Sequence, residues 1–193
     1  MIPVVKAKLL EGKRGLIVGI ANEQSIAWGC AKAFRAFGAE LAVTYLNDKA
    51  KKYVEPLARE LEAPILMPLD VRTPGQMEAV FERIAKDWGK LDFVVHSIAF
   101  SPKDALQGRV VDVSREGFLT TMEVSCWTFI RMEHLAEPLM RKGGTLFTMT
   151  YCAGGDARGG AAGFGDRLPG RAVWQHPVGG AIARGRAAPD RYP

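Results

Sequence analysis

The chain has 193 residues, 48% of them hydrophobic and 24% charged, a balance that supports a packed core and excludes disorder throughout. Its net charge of +5 is unevenly placed: beyond Tyr151 stand Arg158, Arg167, Arg171, Arg184, Arg186 and Arg191 against Asp156, Asp166 and Asp190, so the body before them is close to neutral and is not marked as a nucleic-acid binder. Cys30, Cys126 and Cys152 lie too far apart for a metal pair or a disulfide framework, and no apolar run reaches the ~20 residues of a membrane span.

In chain order, Met1–Gly12 lacks the apolar core of a secretion signal, and with the unpaired cysteines this leads to the expectation of a cytoplasmic protein. Gly15–Gly19 then reads as a buried strand, and Ser25–Phe37 as a helix with apolar spacing through Ala27, Cys30, Ala31 and Phe34. The loop between them has two readings. One is a phosphate cradle, in which Gly19 allows a tight turn and the free N–H groups of the helix start face an anion. The other is an ordinary strand-to-helix turn with Ser25 as N-cap, because Gly19 and Gly29 do not give the usual G-x-G-x-x-G spacing.

A second strand, Glu40–Tyr45, ends in Thr-Tyr-Leu-Asn-Asp. Leu46 stands near the tip where a carboxylate commonly selects NAD, so this position does not set the choice between NADH and NADPH. Lys49, Lys51 and Lys52 can reach a 2′-phosphate or simply form the solvated face of the helix Lys49–Leu61. After the strand Ile65–Leu69, Asp70 either accepts from an adenine amino group, with Val71 against the ring, or caps a turn. Thr73-Pro74 is expected to open the helix Pro74–Trp88 as N-cap and N1, and Gly89 to end it.

The strand Phe93–His96 leads into Ser97-Ile98-Ala99-Phe100-Ser101, where small residues permit close approach of a ribose. His96 is expected to be a packed strand residue rather than a base, since no acid or nucleophile stands beside it. A long helix over much of Ser114–Arg141 and a strand Gly144–Thr150 complete the pattern. Strands alternating with amphipathic helices predict an α/β fold, a doubly wound, Rossmann-like parallel sheet of about five strands, with ligands at the strands' carboxyl ends. Residues 1–151 are therefore expected to form a dinucleotide-binding domain.

Residues 152–193 are dominated by Gly, Ala, Arg and Pro, contain no Lys or Glu, and show no helical or strand period. They are expected to be a disordered tail, either a natural Arg/Gly-type arm or the product of GC-rich coding sequence read out of frame.

Taken together, Gly19-Ile-Ala-x-x-x-Ser25-Ile26-Ala-x-Gly29, Thr-Tyr-Leu-Asn-Asp, Leu-Asp70-Val71, His-Ser97-Ile98-Ala99-Phe100 and Leu-Phe-Thr-Met-Thr-Tyr151 closely resemble the bacterial enoyl-acyl carrier protein reductases, a divergent branch of the short-chain dehydrogenase/reductases. The resemblance runs from about Leu10 to Tyr151. It implies NADH as cofactor and a trans-2-enoyl thioester on acyl carrier protein as substrate. It also implies that Gly19, Ser25, Ile26, Leu46, Asp70, Val71 and Ile98 border the cofactor, that Phe100 and Ser101 border the acyl group, and that Tyr151 is the first of two active-site tyrosines. Metal ligands are not expected, nor is a membrane or nucleic-acid partner; the family is typically a homotetramer.

The family's second Tyr, followed seven positions later by Lys, has no counterpart in the 193 residues: the only later tyrosine is Tyr192 and no Lys follows Lys142. Each such donor is worth roughly 10²–10³ in rate, so the sequence as it stands is expected to be nearly inactive. The alternative expectation is a non-catalytic dinucleotide-binding module whose Arg-rich tail engages an acidic partner.

Overall fold

The structure, a computed structural model, describes residues 8–107 and 109–149. Tyr151 and the segment 152–193 lie outside the described residues, so the expected tail and the domain boundary at residue 151 fall there as well.

Five strands form one parallel sheet: β1 (Arg14–Val18), β2 (Glu40–Tyr45), β3 (Ile65–Pro68), β4 (Phe93–His96) and β5 (Thr145–Thr148), in the order β3-β2-β1-β4-β5. The central strand β1 pairs on both edges, Ile17 with Val43 on one side and with Val95 on the other. Successive side chains point to opposite faces, and both faces are covered, so the apolar runs are nearly unbroken.

Ile17, Leu41, Val43, Phe93 and Val95 meet Trp28 and Ala31 of α1 (Ile26–Ala36) and Val54 and Leu57 of α2 (Asp48–Glu60) in one core. Leu16, Val18, Ala42 and Val94 meet Val80, Phe81 and Ile84 of α3 (Gln76–Trp88) in the other, with Met132 and Ala136 completing it. Gly15 stands opposite Phe93 because a Cβ there would lie 2.1 Å from the Phe93 ring.

The long helical stretch is a continuous run of three parts: α4 (Arg115–Met122), a π-helical turn Glu123–Trp127, and α5 (Thr128–Ala136), followed by a 3₁₀ turn Glu137–Leu139. Single-residue periodicity cannot reveal the π insertion, which widens one turn without changing its composition. The expected cap at Thr73-Pro74 is corrected: α3 starts at Gln76, after Gly75 in the left-handed conformation at φ 83°. The Thr73 carbonyl instead accepts from Gln76 N at 3.3 Å, closing a turn before the helix. Gly89 does terminate α3, its N–H reaching the Ala85 carbonyl.

Candidate cofactor site at the carboxyl edge

The strand order reverses at β1, and ligands of open α/β sheets bind outside the carboxyl ends of the strands at such a point. Gly19 lies there with φ 111°, and a Cβ on it would fall 2.0 Å from the Ser97 carbonyl oxygen and 3.2 Å from Ile98 Cγ2, so the loops after β1 and β4 pack closely against each other. Only glycine satisfies both the backbone angle and the approach. Three positions singled out from the sequence, Gly19, Ser97 and Ile98, therefore meet at one point.

Ser25 occupies the N-cap position of α1, but its side chain makes no capping bond. The reading of Ser25 as the N-cap residue holds for its position, without a side-chain cap bond. Ser25 Oγ turns back and accepts from Ala21 N and Asn22 N, each at 3.0 Å, while Asn22 Oδ1 accepts from Gln24 N at 2.9 Å. The serine closes the loop on itself, and the first turn of α1 carries neither a side-chain cap nor an acidic residue. A helix start of that kind favours an anion, since the dipole is positive there; of its N–H groups, those of Trp28 and Gly29 already donate to the Ser25 carbonyl, at 3.0 and 3.3 Å. Ile26, the first helical residue, is 66% exposed.

At the tip of β2, Leu46 is half exposed and Asn47 caps α2 by accepting from Ala50 N at 3.0 Å. Lys51 has a local partner, its ammonium 5.7 Å from the Tyr45 ring centroid. Lys49 borders a groove of about 410 Å³ with Ala21, Asn22, Asn47, Ala50 and Tyr53, on the α2 side of the β1–α1 loop.

Asp70 follows β3, and its surroundings answer part of the question left open between ligand and turn. Its carboxylate accepts from Arg72 N at 3.0 Å, Arg72 Nε at 3.1 Å and Arg72 Nη2 at 3.0 Å, and its own N–H donates to Gln76 Oε1 at 2.8 Å. The fork from Arg72 is the main reason the Asp70 carboxyl is held below its ordinary range, against a smaller upward push from burial. Val71 and Ile98 are half buried and pack on the α3 side of the sheet.

His96, at the end of β4, is 1% exposed. Its Nε2 lies 2.8 Å from Thr128 Oγ1, and that hydroxyl donates its single proton to the Val124 carbonyl at 2.7 Å. The imidazole must then donate from Nε2, which leaves Nδ1 as a buried acceptor without a hydrogen-bond partner among the described residues. Burial pushes its pKa down to about 4. As expected, it is a packed strand residue; its partner Thr128 is not visible in the sequence pattern.

Beyond β4, Phe100 is bound through its backbone to the π turn. Its N–H donates to Ser125 Oγ at 3.2 Å and its carbonyl accepts from the same hydroxyl at 3.4 Å. Its ring carries the Arg72 guanidinium, 5.2 Å from the centroid. Ser101 Oγ is paired with Thr121 Oγ1 at 2.8 Å. The fold thus brings Asp70 and Phe100 together through Arg72, while Leu46 stands apart at the β2 tip.

Sequence reasoning missed Arg72, Thr121, Ser125 and Thr128. A basic residue two positions after an Asp at a strand end was a usable signal for the first; the others depend on where the π turn falls. No group of three or more His, Cys, Asp or Glu positioned to hold a metal ion occurs among the described residues. No helix among them is long and apolar enough to cross a membrane.

A parallel sheet in this order, with a glycine at the point of reversal and helices on both faces, defines a Rossmann-type α/β domain. A family model described as enoyl-(acyl carrier protein) reductase matches residues 19–165, extending past Tyr151. The chain belongs to the enoyl-acyl carrier protein reductase family. Among curated relatives, enoyl-[acyl-carrier-protein] reductase [NADH] 2 of Rhizobium meliloti is 49% identical over 150 residues, covering 78% of this chain and 55% of the relative. The enzyme named [NADH] 1 from the same organism is 49% identical over 143 residues, 74% of this chain and 53% of its own length.

Among solved structures, the Anaplasma phagocytophilum reductase in complex with NAD superposes with a TM-score of 0.74 at 47% identity, covering 77% of this chain and 57% of that one. FabI from Candidatus Liberibacter asiaticus gives 0.73 at 45% identity, covering 76% and 57%. The chain spans a little over half the length of the curated relatives it matches.

Proposed function

We propose that this chain binds NADH along the carboxyl edge of its sheet and that the site serves reduction of a trans-2-enoyl thioester carried on acyl carrier protein. The observation that carries the reading is the β1–α1 loop at the point of strand reversal, where Gly19 lies against Ser97 and Ser25 is drawn into the loop, so that the start of α1 has no side-chain cap and can take a pyrophosphate. The residues present fit the dinucleotide: glycine at position 19 lets the β1–α1 loop lie directly against the Ser97 carbonyl, and the three donors on the Asp70 carboxylate leave an acceptor position for an amino group.

Gly19, Ser25 and Ile26 would hold the pyrophosphate, Asp70 and Val71 the adenine, and Ile98 the nicotinamide side, with Leu46 bordering the adenosine ribose. Phe100 and Ser101 would border the acyl chain, and Tyr151 would supply a donor near the thioester carbonyl. When bound, NADH supplies the hydride that reaches the β-carbon. NADH rather than NADPH is the named cofactor of the relatives, and Leu46 supplies no carboxylate to enforce that choice.

The division at residue 151 and assembly as a family-type homotetramer belong to the same proposal. Within these 193 residues no Tyr-x6-Lys pair follows Tyr151, so the polypeptide of this sequence should bind NADH without reducing substrate at an ordinary rate.

Two measurements on the full chain test this. Fluorescence titration should show saturable NADH binding, and following NADH absorbance with an enoyl thioester should show trace turnover or none. No binding would remove the cofactor site; ordinary turnover would remove the claim about the missing pair.

A further inference from the structure

Arg72 touches both Asp70 on the adenine side and Phe100 on the acyl side of the candidate site. Its backbone N–H and its guanidinium place three donors on the Asp70 carboxylate, two of them on Oδ1 and one on Oδ2. A carboxylate offers about four acceptor positions, so one remains, on Oδ2. The Asp70 N–H is fixed in turn by Gln76 Oε1 at the start of α3. On its other side the guanidinium rests on Phe100, whose backbone is gripped at both N–H and carbonyl by Ser125. Glu123, also on the π turn, adds a further attraction for the cation. A fork held from two elements fixes the carboxylate's rotation in a way that a flexible lysine could not.

We propose that Arg72 is a positioning residue for base recognition: by locking the Asp70 carboxylate with one oxygen position free, it makes the site select a purine with an amino group at C6 over one with a carbonyl there. This rests on the NADH reading above. A 6-amino group donates to the free position, whereas a 6-oxo group presents a second acceptor to a fixed anion and leaves both unpaired. Phe100 acts through Arg72 by holding the guanidinium in plane.

The test compares binding of NADH with binding of reduced nicotinamide hypoxanthine dinucleotide by the full chain, using fluorescence titration alongside thermal melts. Wild type should prefer NADH by at least about tenfold, the size of a charge-assisted hydrogen bond. Arg72→Met should bring the two affinities to within about threefold with an unchanged melt, since the Arg72 side chain is half exposed. Arg72→Lys should recover only part of the preference, and Phe100→Leu should lower it severalfold. Equal binding of the two dinucleotides by wild type, or a preference retained in Arg72→Met or Phe100→Leu, would overturn the inference while leaving the dinucleotide site standing. No binding of NADH at all would overturn both.

Discussion

Gly19 concentrates the site's geometric demands in a single missing methyl group. Its φ of 111° is one that L side chains rarely adopt, and the atom a Cβ would strike, the Ser97 carbonyl oxygen at 2.0 Å, belongs to the backbone of the neighbouring strand end and cannot swing aside. Gly19→Ala should therefore push the β1–α1 loop away from β4. We expect NADH affinity to fall at least about tenfold and stability by about 1–3 kcal/mol, read by fluorescence titration and urea unfolding. Unaltered affinity in a folded variant would show that the cradle does not need this contact. At this scale the tight turn at Gly19 and the polar turn at Asp70 were legible, because glycine and acidic residues at strand ends carry a backbone or charge signature. Arg72 was not, because its importance lies in two partners, Asp70 and Phe100, that are remote from each other in sequence.

Of the side-chain hydrogen bonds that tie β4 and the loop after it to the helical layer, Ser101 with Thr121 falls on α4, while Ser125 on Phe100 and Thr128 on His96 land on the π turn or its border. The last of these makes the element sensitive to acid. His96 takes up its proton only near pH 4 when folded but near its ordinary 6.5 when unfolded, so between these values the unfolded chain binds more protons. Stability contributed by the neutral imidazole is complete above about pH 7 and is lost as pH falls, by about 2 kcal/mol at pH 5 and about 3 kcal/mol near pH 4.

Urea midpoints measured at pH 7 and pH 5 should show that loss, and His96→Asn should abolish it. The lowered carboxyls of Asp70, Glu78 and Asp92 add little between pH 7 and pH 5, because their contributions are lost toward and below their ordinary values of 3.8 to 4.5; near pH 4 they add to the loss from His96. At the scale of elements, the strands at 40–45 and 93–96 were legible to the residue, since burial on both faces gives short apolar runs with abrupt ends. The start of α3 and the break in the long helix were not. A left-handed Gly75 outweighs the capping preference of Thr73-Pro74, and a π turn leaves no mark in composition.

For the molecule as a whole, a ligand that binds only the folded state must raise its stability by mass action. At one hundred times its dissociation constant NADH should add about 2.7 kcal/mol and move the thermal midpoint upward by several degrees. A differential scanning measurement with and without NADH checks this, and an unmoved midpoint would count against a built cofactor site. The order β3-β2-β1-β4-β5 has another consequence, one that unfolds in time. On the ribosome, β1, β2 and β3 are available to pair once residue 68 has emerged, but the second edge of β1 waits for Phe93–His96. Throughout that interval the central strand, whose Leu16, Ile17 and Val18 are fully buried in the finished fold, has one edge unpaired, so synthesis itself opens a brief period in which the nascent chain is a template for misassembly.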